Sequence, residues 1–491
     1  MTTDASRTGR RQRSYLRPNA IGTPALIFFV VATVGPMGAV LAAAPLVFTE
    51  SGAGAAGVYI LSAALFAVFS IGYLAMNRHL GSTGGLVVYI AKGFSHRAGT
   101  AASYVALLTY LSLLCALYGG FGVFAHQTFL EVFEIDIQWQ VWALGCLFLI
   151  AALAYNKVEL SVRVMGVLLV LEVLVVLWLD FAIFFQGGEG GGASLSLDGL
   201  SPTSVFSGGF GLAFLFALSS FGSFEATVVY SEEAKSPRKT IPRATYGSLA
   251  VLGVFYSVTA WAVANGVGTA NVQQEALANP TGLVIELARG YLGEGAVTVM
   301  NVLVVTSFFA IVAGVTNILS RYVFALGRAG ILPQGLATTH GRHGGPSVAS
   351  LVVSGAALLV LCVFFIAGTD PYKIYTWLLA IGTVAILCVV AATSAAAITY
   401  FYMKNRDSGE STWAKLVAPA VSAAAFVASI VLAIKNFSLL VGAAPGDALG
   451  WIWLVVPAVG ILGFVVGSVR GPDGSDFSTV DELLGNDGGE Q

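Results

Sequence analysis

Long apolar runs, separated by short polar clusters, recur from one end of the chain to the other. About 20 mostly apolar residues suffice for one helix to cross a bilayer. Twelve such segments are predicted, over 24–48, 54–76, 99–125, 140–156, 161–186, 204–230, 246–268, 296–324, 347–368, 371–402, 413–435 and 450–469. A basic tail, 1–20, precedes them, and a polar acidic tail, 471–491, with the composition of a disordered segment, follows. Between the fifth and sixth segments, GGEGGGA at 187–193 reads as a flexible loop.

Composition agrees with the pattern. Of 491 residues 57% are hydrophobic and only 10% charged, against about 25% charged in soluble domains. A water-facing surface of ordinary size cannot be built from this chain, so the expected class is an all-α integral membrane protein. A net charge of −2 argues against a nucleic-acid partner. Cys115, Cys146, Cys362 and Cys388 each sit inside an apolar run, away from His, Asp and Glu, and read as small buried hydrophobes.

The basic residues orient the chain. With the N-terminus in the cytoplasm, only Arg289, Lys373 and Lys435 fall outside, and the other 21 of the 24 Lys and Arg fall inside. Basic residues favour the cytoplasmic side of membrane helices, so both termini are expected there, with the plasma membrane as the location. A missed helix would invert every later loop, so the bias also supports the count of twelve.

Two segments are interrupted at their middle. The first carries Val34, Gly35, Pro36, Met37, Gly38 and Ala39, and a proline inside an intact helix costs about 3 kcal/mol. The sixth carries Ser219, Ser220, Phe221, Gly222, Ser223, Phe224 and Glu225. Freed backbone groups at membrane depth are tolerated only inside protein or against a water-filled cavity. The breaks lie five segments apart, the spacing of a five-helix repeat inverted in the membrane. Half-helix N-termini suit a carboxylate and C-termini suit a cation or amine, so a zwitterion fits both.

Acids in the apolar segments are few. A carboxylate at a membrane helix centre costs about 2.5 to 3.5 kcal/mol on the insertion scale, and acids there mark ion or proton paths. Glu172, in LLVLEVLVVLWLD, and Glu225, just after the sixth-segment break, are the proton-coupling candidates; a hydrogen bond across helices and helix capping are their structural alternatives. Asp180 falls nearer a segment end, where interfacial solvation accounts for it, and Arg321 reads as an anchor.

Four stretches resemble the amino acid-polyamine-organocation (APC) superfamily of transporters. FGSFEATVVYSEEAKSPRKTIPRA, from Phe221 to Ala244, is similar to the sixth-helix signature; STGGLVVYIAKGF (Ser82 to Phe94), SVRVMGVLLVLE (Ser161 to Glu172) and NILSRYVFALGRAGILP (Asn317 to Pro333) follow the family's order. The resemblance implies a five-plus-five inverted repeat with discontinuous helices 1 and 6, repeats at about 21–186 and 204–402, and two added helices within 403–470. It also implies alternating access and import of amino acids or related amines. Carried over, residues 34–39 bind the substrate's carboxylate and amine through backbone groups, Phe221 lies over the substrate as a gate, and Ser219, Ser220, Gly222 and Ser223 form the other wall. Glu172 stands where several proton-coupled members have a lysine. VGPMG replaces a G-S-G-type run, and Pro36 has no N–H for a carboxylate, so a putrescine-like amine is the alternative substrate. Ser223 and Ala329 replace a usual glycine and aspartate.

No G-x-x-x-x-G-K-[ST] phosphate loop and no H-E-x-x-H occur, and the five histidines fall in loops or at segment ends. An ATP-driven pump, an enzyme and a bound cofactor or metal are therefore not expected. A channel or transporter-like sensor is the competitor from another class. The expectation is a secondary transporter in the lipid bilayer that couples a small-molecule substrate to protons rather than sodium.

Overall fold

The computed structural model describes residues 22–80, 85–156, 162–189, 191–222, 227, 234–338, 346–406, 408–441 and 448–470. Among them nine helices are long and apolar enough to cross a membrane, and three further apolar helices, Thr23–Val34, Trp139–Tyr155 and Phe210–Ser219, are shorter. Each predicted segment overlaps one of these twelve helices, and the first overlaps two; the short fourth segment corresponds to Trp139–Tyr155. No strand forms among the described residues beyond a single bridge between Gly188 and Ala193. That bridge closes the glycine-rich loop, which Glu189 N–H bonding to Asn265 O (2.8 Å) and Tyr291 Oη bonding to Gly187 O (2.8 Å) tie down further.

The first segment breaks at Gly35. Thr23–Val34 is a regular helix, and Gly35 then takes φ 65°, ψ 80°, a left-handed conformation that a residue without Cβ adopts freely. Pro36 opens the next turn, Pro36–Gly38, at a position where its missing N–H has no intrahelical partner to lose. A π-helical turn, Ala39–Ala43, leads into Ala44–Ser51. Thr33 loosens the approach from the other side, its Oγ1 donating to Val30 O at 2.8 Å.

The sixth segment begins as Phe210–Ser219 and then tightens. Ser220, Phe221 and Gly222 each bond back three residues, to Ala217, Leu218 and Ser219, at 3.1 to 3.2 Å. Ser223 and Glu225 lie outside the described residues.

The third helix, His96–Phe133, is the spine of the bundle. Its 38 residues reach about 57 Å, well beyond the hydrocarbon layer, and it packs against the tenth (Pro371–Thr399), eighth (Glu294–Arg328) and twelfth (Val455–Arg470) helices. Small residues permit such approach where lipid offers no hydrophobic drive; at Gly120 an added Cβ would come 2.5 Å from the Phe308 ring. The turn after Gly35 packs on the eighth helix and on the fifth, Val162–Gln186, while Phe210–Ser219 lies against Ala44–Ser51 and the second helix, Ala55–Leu80. The two interrupted helices thus meet inside the bundle, with Gly35–Ala39 and Ser220–Phe221 packed against neighbouring helices.

Candidate functional site

A cavity of about 60 Å³ lies between the two breaks. That is room for about two water molecules at liquid density. Six of the predicted residues line it: Val34, Gly38 and Ala39 from the first segment, Ser219, Ser220 and Gly222 from the sixth. The structure therefore brings the two stretches together. Gly35, Pro36 and Met37 stand behind the lining, and Ser223 is outside the described residues.

Phe221 takes a different place from the one carried over from the family. It is fully buried beside the cavity, not part of its lining. Its ring sits 5.7 Å from Tyr256, edge-on, 6.0 Å from Phe66 and 6.5 Å from Tyr59. The rings that do line the cavity are Phe308 and Tyr375, which meet edge-to-face at 6.2 Å. Neither is marked in sequence, because an aromatic residue in an apolar run looks like core.

Hydroxyls shape one wall. Ser219 Oγ donates to Phe216 O at 2.6 Å, so what it offers a ligand is a lone pair. Ser220 Oγ lies 3.4 Å from the Tyr59 hydroxyl. At this helix C-terminus the dipole and the hydroxyl lone pairs have the same sense, and both favour a positive group.

Glu172 holds the opposite wall. It is 4% exposed, and its Oε2 accepts from Met37 N–H at 3.3 Å and from Ser307 Oγ at 2.9 Å. One carboxylate oxygen thus joins three helices: the turn after the break, the fifth helix and the eighth. The acid at this half-helix N-terminus is part of the protein itself. Gly35 seals the joint, since an added Cβ would fall 2.2 Å from Ile311 Cδ1 and 3.1 Å from Ser307 Oγ. Ser307, a hydroxyl in the apolar run VVTSFFAIV, is a site residue that sequence reasoning missed; its polarity at membrane depth was the available signal.

Asp180 requires a correction. Expected at a solvated interface, it is buried at 6% exposure, and Thr259 Oγ1 donates to its Oδ2 at 2.8 Å. Among the described residues Glu172 and Asp180 are the only charged types that are buried. Glu225, the other predicted acid, lies outside those residues.

The family model described as Amino acid permease matches residues 21–466. The chain belongs to the amino acid permease family. Family relatives include the Asc-type amino acid transporter 1 of Mus musculus, 27% identical over 320 residues, covering 62% of this chain and 57% of that one. The branched-chain amino acid permease of Lactococcus lactis is 27% identical over 213 residues, covering 42% and 41%. The amino-acid permease of Candida albicans is 24% identical over 309 residues, covering 61% and 48%. The match thus spans a little over half the length of the first of these family relatives.

Proposed function

We infer that the protein is a secondary transporter, not an enzyme, that imports a neutral amino acid together with protons by alternating access. The observation that carries this reading is the cavity between two helix ends of opposite polarity, with a buried carboxylate bonded behind one of them. The substrate carboxylate lies against the turn after Gly35. Pro36 has no N–H and that of Met37 goes to Glu172, so the donors for a ligand begin at Gly38. The ammonium lies against Ser219, Ser220 and the end of Phe210–Ser219. The side chain faces Phe308, Ile311 and Tyr375.

No charged residue lines the cavity among the described residues, and a charged substrate side chain would be desolvated there without a partner. This weighs against the putrescine-like alternative, whose second amine needs an acceptor. Family membership and the names of the relatives support amino acid transport over a channel or sensor.

In this reading the twelve helices all cross, as inverted repeats at about 21–186 and 204–402 plus two more within 403–470, in the plasma membrane with both termini cytoplasmic. The basic-residue bias and the placement of the breaks support that arrangement. Glu172 couples the proton: while charged it clamps the first-helix turn to Ser307, and on protonation the clamp weakens and the turn is freed to move. Glu225 is the second candidate.

The test is reconstitution in liposomes with an imposed inward proton gradient. Neutral radiolabelled amino acids are expected to accumulate above equilibrium, with saturation and counterflow. If neutral amino acids fail and diamines accumulate, the substrate assignment is wrong; if only sodium drives uptake, the proton assignment is wrong. Glu172→Gln should abolish concentrative uptake at least tenfold more than it affects exchange.

A further inference from the structure

Asp180 follows Glu172 by eight residues on the fifth helix, about 12 Å further along its axis, and precedes the helix end at Gln186 by six. Thr259 satisfies one carboxylate oxygen. The other, Oδ1, is buried without a hydrogen-bond partner among the described residues. A single hydroxyl bond compensates poorly for burying an ionised carboxylate, so this acid is suited to gaining and passing on a proton.

The seventh helix, Pro237–Val267, packs directly on the fifth. Tyr256 precedes Thr259 by three residues, which puts it on the same face and one turn nearer the level of Glu172. Side chains of a helix lean toward its N-terminus, which carries the Tyr256 hydroxyl further the same way. That hydroxyl is also buried and unpartnered among the described residues. Polar groups therefore run in order from Asp180 through Thr259 and Tyr256 to Glu172 across otherwise apolar packing.

Other ionisable groups near this end of the fifth helix have partners of their own. Tyr291 gives its hydroxyl to Gly187 O, and Arg289 is held by Glu286 and Glu294.

We propose that Asp180 is the proton-entry station that loads Glu172, with the Tyr256 hydroxyl as the bridge. A proton from water at the Gln186 end adds to the Asp180 carboxylate. It passes to the Tyr256 oxygen as Tyr256 releases its own proton to the Glu172 carboxylate, water completing the chain where a gap exceeds hydrogen-bond reach. Tyr256 ends unchanged, Glu172 is neutral, and Asp180 is again an anion ready to reload. The proposal rests on the reading of Glu172 as the coupling acid and of the Gln186 end as external.

The experiment uses the full chain in oriented proteoliposomes with a neutral amino acid that the wild type accumulates. Two rates are read for each variant: uptake driven by an inward proton gradient, and exchange at equal pH. For Asp180→Asn the ratio of the first to the second is expected to fall at least tenfold; for Tyr256→Phe, about threefold or more. Asp180→Glu should restore most of the ratio. Tyr256→Phe keeps its shape and carries the test if Asp180→Asn does not insert. Unchanged ratios in both, or equal loss of the two rates in both, overturn the proposal. A wild type without proton-driven uptake overturns the parent reading instead, and this one with it, before any variant is made.

Discussion

The two interrupted helices reach one cavity by different physical means. At the first, a left-handed glycine is followed by a turn held by a carboxylate, through Met37 N–H and Ser307 Oγ. At the sixth, the chain is anchored by Phe221 among Tyr59, Phe66 and Tyr256. Rings respond to shape and a carboxylate responds to protons. On the proposed reading, the same fold separates a joint that a proton can loosen, at the first break, from one that packing keeps rigid, at the second.

The largest effect is expected at the first joint. Gly35→Val introduces a β-branched residue at φ 65°, where a left-handed L-residue costs about 1–2 kcal/mol. Its Cβ would also collide with Ile311, 2.2 Å away, and overpacking adds about 1–3 kcal/mol. A loss of about 2–5 kcal/mol in detergent unfolding, with no transport, is expected. A variant as stable as wild type would show that the break does not depend on this backbone conformation.

Phe221→Ala comes next. Unfolded helices in a bilayer are already in an apolar medium, so the transfer contribution largely cancels and the cavity and lost dispersion remain, about 2–3 kcal/mol. Phe221→Leu should recover about half. If Phe221→Ala changed affinity for the amino acid while leaving stability untouched, the ring would act as a gate over the substrate and not as an anchor, and the contrast between the breaks would fail.

The legible and the hidden parts of the site differ for physical reasons. Gly35 and Pro36 declare a break locally, through φ freedom and a missing donor, so the first interruption is read from two adjacent letters. Glu172 declares itself through the expense of an acid amid leucines and valines. Asp180 is the instructive miss. Its distance from the segment end suggests water, but its burial comes from Thr259 and the seventh helix, 79 residues away in sequence. The Phe221 environment is likewise assembled from remote rings, so a family signature locates the residue without stating which way it turns. The all-helical class was readable from segment lengths, since a helix satisfies its own backbone in lipid.

Ser307→Ala tests the polar half of the first joint alone. It removes one of the two bonds to Glu172 Oε2, for about 1–2 kcal/mol. Transport should change more than stability does, as faster proton-independent exchange, because the clamp weakens without any proton. Unaltered exchange would mean that Ser307 is packing only.

A carboxylate near the surface, partly exposed and ion-paired, supplies the control. Glu410 takes two bonds from Arg78 at 2.9 Å, Nε to Oε1 and Nη2 to Oε2, with His79 3.4 Å away, joining the end of the second helix to the segment before the eleventh, Ala418–Lys435. The Arg78 guanidinium holds the Glu410 carboxyl below the usual carboxylate range. A group depressed in the folded state stabilises above its unfolded value, about 4.3, and that contribution disappears as pH falls through the folded value. Exposed pairs are worth about 0.2–1 kcal/mol and are screened by salt. Glu410→Gln should therefore lower stability by about 0.5 kcal/mol at neutral pH and low salt, and the gap to wild type should close below about pH 4 or in 1 M salt. The Ser307→Ala deficit should persist in the same salt, since the buried clamp is shielded from ions. Equal salt sensitivity of the two would place Glu172 in contact with bulk water and remove the reason for treating the first break as a buried proton-sensitive joint.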